Sequence, residues 1–266
     1  MFQNLRKSKK LLLIAMTCAT FAIAGCGSDT TKTTADNGTS VTWSETFDGT
    51  KTDFAVKSAP THAVSMSQAT TEMMLQLGLE DKMAGTAFKE EEIYPPLQAA
   101  YDKVKVLSEK WPSYEVFMSV KPDFATGWPD SFSKRAIPAD KMISQKVNIW
   151  IPESMLSTKA DLETNFSDMI KLGEIFGVKP KAEEWVAGQR KTLAAIQDKL
   201  KDLPRKRVFI YDSEDGQPFT AFEGYTTNIL KLIGADNVMS GLGVDKTWAK
   251  GSWETVIAQN PDYIII

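Results

Sequence analysis

Short apolar runs separated by helical patterns dominate the chain beyond residue 60. Runs at His62–Met66, Met83–Ala87, Val104–Leu107, Asp123–Gly127 and Val147–Ile151 read as strands. Ala69–Leu77, Tyr114–Val120 and Leu162–Phe176 read as helices between and after them. Short strands alternating with helices predict parallel βα units and an α/β fold. Ahead of them, Val41–Phe47 and Thr52–Val56 flank Asp48-Gly49, the signature of a β-hairpin. Pro180 opens a helical pattern that Pro204 stops after Leu203, and proline is favourable in a first helical turn because its missing N–H would be unpaired there. Trp185, Leu193, Ile196 and Leu200, with Ala between them, make one apolar stripe on this helix, and Lys and Glu fill the other face. Its length predicts a rigid spacer between two lobes, and the strand pattern resumes at Arg207–Tyr211.

An internal repeat organises these elements. Residues 70–85 (TTEMMLQLGLEDKMAG) align without a gap on residues 226–241 (TTNILKLIGADNVMSG), which matches Gly78 with Gly234 as helix terminators. Downstream, Glu115 precedes Pro122-Asp123-Phe124 by seven residues, and Glu254 precedes Pro261-Asp262-Tyr263 by seven. Two matched segments in the same order predict two similar α/β lobes with a cleft between them, where small ligands usually bind.

The N-terminus carries a different pattern. Arg6, Lys7, Lys9 and Lys10 precede an apolar run of 14 residues from Leu11 to Ala24, too short to span a bilayer comfortably. A basic start, a short apolar centre and small residues before the cut are the features of a secretory signal. The ending Ala24-Gly25-Cys26 resembles the bacterial lipoprotein signal, which implies lipidation of Cys26 and a place on the extracytoplasmic face of the cell membrane. Residues 27–40 are rich in Ser, Thr, Asp, Asn and Gly and read as a solvated tether.

Charge and composition narrow the chemistry. Residues 1–25 hold four positive charges and no negative ones, so their removal takes the formal charge from −3 to −7. An acidic chain argues against nucleic acid as a partner, since phosphate binding needs clustered Lys and Arg. With Cys18 in the signal and Cys26 lipidated, no cysteine is left for a disulfide or a metal site. His62 is the one histidine, whereas zinc sites and nucleophile–histidine pairs need histidine in defined company. The chain has no G-x-S-x-G, Walker A or G-x-G-x-x-G motif, and Gly241-Leu-Gly243 does not complete the last. No metal site, cofactor or catalytic residue is predicted.

From Ser58 onward the chain resembles the substrate-binding proteins of ABC importers for iron–siderophore complexes and cobalamin. The carrying segments are residues 63–72 (AVSMSQATTE), Lys121-Pro-Asp-Phe124 and residues 253–263 (WETVIAQNPDY). The resemblance implies two Rossmann-like lobes, a rigid connecting helix and only modest closure on ligand. It also implies an ABC permease dimer as partner, docked through one glutamate per lobe, and Glu115 and Glu254 match those places. A helix-start role, favoured by the helix dipole, is compatible with both. Trp128, Trp248 and Phe219 match ligand-facing aromatics of the cobalamin group, and Trp111 and Phe88 fall near two more. Arg135 follows the Trp128 loop, where it could meet an anionic ligand group. Trp43 and Trp185 are assigned to structure.

The expected layout is a signal at 1–25, tether and hairpin at 26–57, first lobe at 58–178, connecting helix at 179–204 and second lobe at 205–266. The chain stops at Ile266 within an expected strand, so the second lobe is expected to be incomplete relative to the family. The functional expectation is a lipid-anchored receptor for a ferric siderophore or similar metal chelate, with a corrinoid as the alternative. A bare-metal receptor, an extracytoplasmic enzyme and a sensor lipoprotein are the competing classes.

Overall fold

The computed structural model describes residues 40–266. The expected signal, Cys26 and nearly all of the tether lie outside the described residues. No helix among the described residues is long and apolar enough to cross a membrane.

β1 (Val41–Phe47) pairs antiparallel with β2 (Thr50–Val56), from Val41 opposite Val56 to Phe47 opposite Thr50. The turn is Asp48-Gly49 alone, so β2 begins earlier than expected. A two-residue turn leaves no spare residue on either side. The hairpin is tied to the sheet below it: Trp43 Nε1 donates to the Ile149 carbonyl at 2.7 Å, and Glu45 accepts from the Ile151 N–H at 3.0 Å.

The first lobe then runs β3 (Ala63–Ser65), α1 (Gln68–Gln76), β4 (Met83–Ala87), α2 (Gln98–Tyr101), β5 (Val106–Ser108), α3 (Tyr114–Ser119), β6 (Phe124–Thr126), α4 (Ala139–Ser144) and β7 (Asn148–Trp150). Its five strands are parallel, in the order β5-β4-β3-β6-β7. Each expected strand is present, most of them trimmed at the ends. The short helices α2 and α4 were not anticipated. Side chains alternate between the sheet faces. Ala63, Phe124 and Trp150 pack with Met74, Leu77, Phe166 and Leu172 on one side. Val64, Ala125 and Ile149 pack with Phe117, Phe132 and Met142 on the other. With both faces covered, the strands read as continuous apolar runs.

α5 (Leu162–Ile175) starts at a capping box between Asp161 and Thr164 and packs against α6 (Lys179–Leu200). The two approach closely because Gly173 has no side chain: a Cβ there would stand 2.7 Å from the Ala182 Cβ. The apolar stripe expected on α6 is sealed only near its start. Ala182 and Val186 are buried and Trp185 meets Phe166 edge-on, whereas Ile196 is 40% exposed. The first half lies along α5; the second has only partial cover.

The second lobe comprises β8 (Lys206–Ile210), β9 (Ser213–Glu214), β10 (Pro218–Ala221), α7 (Tyr225–Leu232), β11 (Ala235–Asn237), β12 (Trp248–Lys250), α8 (Trp253–Gln259) and β13 (Tyr263–Ile265). β11-β8-β13 form a parallel sheet, and β12-β10-β9 form an antiparallel one that was not expected.

The repeat is present in three dimensions. β4-β3-β6 and β11-β8-β13 share strand order and direction. Asp123 exchanges hydrogen bonds with the His62 backbone, donating to its carbonyl and accepting from its N–H at 3.0 Å. Asp262 does the same with Arg207, accepting at 2.8 Å. Ser113 caps α3 and Ser252 caps α8, each accepting from the N–H three residues on. Lys121 and Asn260, each before the matched proline, both have φ near +45° (49° and 44°). Gly78 and Gly234 end α1 and α7 at φ +64° and +78°, a region open to glycine. The gapless alignment fails just beyond them. Met83 pairs with Ala63 while Asn237 pairs with the equivalent Val208, so Met83 corresponds to Asn237 and not to Met239. A 3-10 turn at Glu80–Lys82 precedes β4, whereas Gly234 leads directly into β11.

Candidate functional site

In the first lobe the chain turns in opposite directions from β3, with β4 and β5 on one side and β6 and β7 on the other. Ligands of open α/β sheets bind outside the carboxyl ends of strands at such a switch point. Phe88, Trp111 and Trp128 follow the ends of β4, β5 and β6, and all three line a cavity of about 760 Å³ between the lobes. From the second lobe, Phe219 on β10 and Trp248 on β12 line the same cavity.

The aromatics form one stacked pair per lobe. Phe88 and Trp111 lie 4.6 Å apart with planes 20° from parallel. Phe219 and Trp248 lie 6.1 Å apart, also at 20°. In the antiparallel ladder Phe219 stands opposite Lys250, so Trp248 is its diagonal neighbour on the same face. Each of the five aromatics keeps part of its surface exposed, unlike the core rings of Phe117, Phe124 and Phe209.

Hydrogen bonds hold the first-lobe rings. Trp111 Nε1 donates to the Met66 carbonyl at 3.1 Å. Phe88 has φ +59°, costly for a bulky side chain. Gln68 fastens the loop that carries it. The Gln68 N–H donates to the Phe88 carbonyl at 3.1 Å, Oε1 accepts from the N–H groups of Glu90 and Glu91, and Nε2 donates to the Glu92 carbonyl. Trp128 Nε1 reaches Glu90 Oε2 at 3.4 Å.

Glu90, Asp130, Asp212, Glu223 and Tyr225 also line the cavity and were not singled out from the sequence, nor was Gln68. Nothing in the residues marks one surface carboxylate among 34 as cleft-facing. Gln68 lies in the 63–72 segment that carries the resemblance, a signal that could have found it. The Glu90 carboxyl is raised above the ordinary value, first because the cleft walls displace water from it; the Trp128 bond opposes this, and Asp212 and Glu91 add to it. Burial likewise raises Tyr225.

Arg135 does not line the cavity; its guanidinium pairs with Asp130 at 2.6 Å. Glu115 and Glu254 lie away from the cleft, exposed in the first turns of α3 and α8. The Glu115 carboxyl is held below its ordinary value by its own backbone N–H and by Ser113. His62 is exposed beside Thr61, outside the cavity. Among the described residues no group of three or more His, Cys, Asp or Glu could hold a metal ion. The arrangement offers rigid aromatic walls and an acidic rim, suited to holding a flat or bulky solute.

Comparison with known proteins agrees with this architecture. A family model described as periplasmic binding protein matches residues 64–266. A solved periplasmic binding protein from Veillonella parvula is 98% identical, with a TM-score of 0.83 over 85% of this chain and 77% of that one. An uncharacterized ABC transporter substrate-binding lipoprotein of Bacillus subtilis is 26% identical over 97% of this chain and 81% of its own length. The solved structure of an ABC-type Fe3+-hydroxamate transport system from Saccharomonospora viridis is 20% identical, with a TM-score of 0.68 over 84% of this chain and 78% of that one, a likeness of fold.

Proposed function

The chain belongs to the periplasmic binding protein family, and from that premise we propose that it is the solute receptor of an ABC importer, capturing a metal chelate of the ferric-siderophore class. Cys26 carries the lipid that holds it at the extracytoplasmic membrane face. Phe88, Trp111, Trp128, Phe219 and Trp248 form the walls that grip the chelate, and no covalent chemistry is required of them. Glu115 and Glu254 present one carboxylate per lobe to a permease dimer, where charge complementarity sets register and encounter rate.

The observation that carries this reading is the pairing of two stacked aromatic sets, one from each lobe, across a single cavity. Rigid aromatic faces provide large contact area at little cost in side-chain freedom. The relatedness to a transporter lipoprotein supports the importer role and the anchor. The repeat-related placement of Glu115 and Glu254 on capped helix starts supports the docking role. Arg135, already paired with Asp130, orders the rim beside the cleft.

Titration of intrinsic tryptophan fluorescence tests the reading. Ferric trihydroxamates, ferric catecholates and cyanocobalamin are added in turn, with correction for ligand absorbance and calorimetry on each hit. Saturable quenching by a ferric chelate that is lost in Trp111→Ala or Trp248→Ala supports it. Saturation by cyanocobalamin alone would move the cargo to a corrinoid. A folded protein that answers none of them would sink the receptor assignment.

A further inference from the structure

The charge of the cleft is one-sided. Among the described residues, four carboxylates line it, Glu90 and Asp130 from the first lobe and Asp212 and Glu223 from the second, and no Lys, Arg or His does. Two of them are answered by the protein. Asp130 pairs with Arg135, and Glu223 accepts from the Ser240 hydroxyl and the Gly241 N–H, the latter at 2.8 Å. The other two have little support among the described residues. Glu90 has the 3.4 Å bond from Trp128 Nε1, and Asp212 accepts from the adjacent Ser213 hydroxyl. They line the same cavity from opposite lobes. The stacked aromatic faces around them also attract positive charge.

Resting on the receptor reading above, we infer that the cleft selects a cationic metal chelate, with its positive group seated between Glu90 and Asp212 and its body against the aromatic faces. A pendant ammonium on the chelate is attracted by a carboxylate from each lobe at once. A polyanionic complex meets the opposite situation. It gives up its hydration among four carboxylates and finds no cationic side chain among the described lining residues in exchange. The same charge arrangement disfavours a tricatecholate, a citrate complex or a porphyrin bearing two carboxylates.

The test uses three ferric chelates with the soluble, non-lipidated protein: a trihydroxamate with a pendant ammonium, the same chelate N-acetylated to neutrality, and a trianionic tricatecholate. Calorimetry is run on the parent and on a Glu90→Gln, Asp212→Asn double variant, both checked for an unchanged thermal transition. The expected order is cationic over neutral by about tenfold, with the tricatecholate weakest, and the double variant reduces the cationic advantage to about twofold. Equal affinity for cationic and neutral forms, or a preference unchanged in the double variant, overturns the charge selection while leaving the receptor reading intact. If no member of the panel binds, the receptor reading falls and this inference with it. Should the double variant misfold, the single Asp212→Asn variant, in an exposed position, reads the same ratio.

Discussion

Gln68 and Phe88 are joined backbone to backbone, N–H to carbonyl at 3.1 Å, across the gap between the start of α1 and the end of β4. The Gln68 side chain bonds three further residues of the same loop. One residue thus holds Phe88 at an unfavourable positive φ, where its ring stacks on Trp111. Gln68→Ala removes the side-chain bonds and frees the loop. Hydrogen exchange at residues 88–92 is expected to rise, and affinity for the bound chelate to fall by about tenfold, with global stability lowered by only about 1 kcal/mol. Unchanged exchange in that loop would show that Gln68 does not position it.

Glu45 makes the hairpin pH-sensitive. It is 6% exposed, and its carboxyl is raised from 4.5 to about 7, chiefly by burial, with Glu153 and Asp168 adding repulsion and the Ile151 N–H opposing. The folded state therefore holds this proton more tightly than the unfolded chain. The stability it contributes is complete below the unfolded value and is lost as pH rises through about 7. Glu45→Gln retains an acceptor for Ile151 and carries no charge. Urea titrations are expected to show the variant gaining on the parent between pH 5 and 8 by roughly 2–3 kcal/mol. A parallel pH dependence in the two proteins would exclude Glu45 as its source.

The crossing of α5 and α6 depends on Gly173. A methyl group there would approach Ala182 Cβ to 2.7 Å and Lys179 Cα to 3.2 Å, and neither can yield without moving α6. Gly173→Ala is expected to cost about 1–3 kcal/mol by overpacking. The denaturation midpoint reports this directly. Ala182→Gly in the same chain should recover part of the loss, and no recovery would point to a different origin.

Glu115 and Glu254 should matter for delivery and not for capture. Replacing both with Gln is expected to leave chelate affinity within about twofold, because both lie outside the cavity, while lowering permease-dependent uptake by about tenfold or more. Uptake unaffected by the pair, with normal surface abundance, would leave them as helix-start carboxylates alone.

Much of the fold was legible because its signals are local. β4 matches its apolar run residue for residue, and Gly78 and Gly234 mark helix ends where only backbone freedom serves. The duplicated Glu-to-Pro-Asp spacing was also readable, since equivalent caps and turns need equivalent residues at equivalent distances. The antiparallel ladder of β9, β10 and β12 was not. Its strands are short and its pairing joins residues far apart in the chain, such as Ala221 and Trp248. The two-residue slip after Gly78 escaped because the 3-10 turn at Glu80–Lys82 lengthens the approach to β4, while Gly234 leads straight into β11.

The candidate site divides along that line. The family resemblance marked five aromatics as ligand-facing, while the residues themselves showed a single histidine and one glutamate at the start of each repeated helix. Only the tertiary structure decided that Phe88 stacks on Trp111 and Phe219 on Trp248, that Arg135 is spent on Asp130, and that Glu90 and Asp212 line one cavity from separate lobes. Local preference acts over a few bonds and can be read along the chain. The charge and shape of a cleft arise where residues distant in sequence converge, and only the packing of the lobes brings them together.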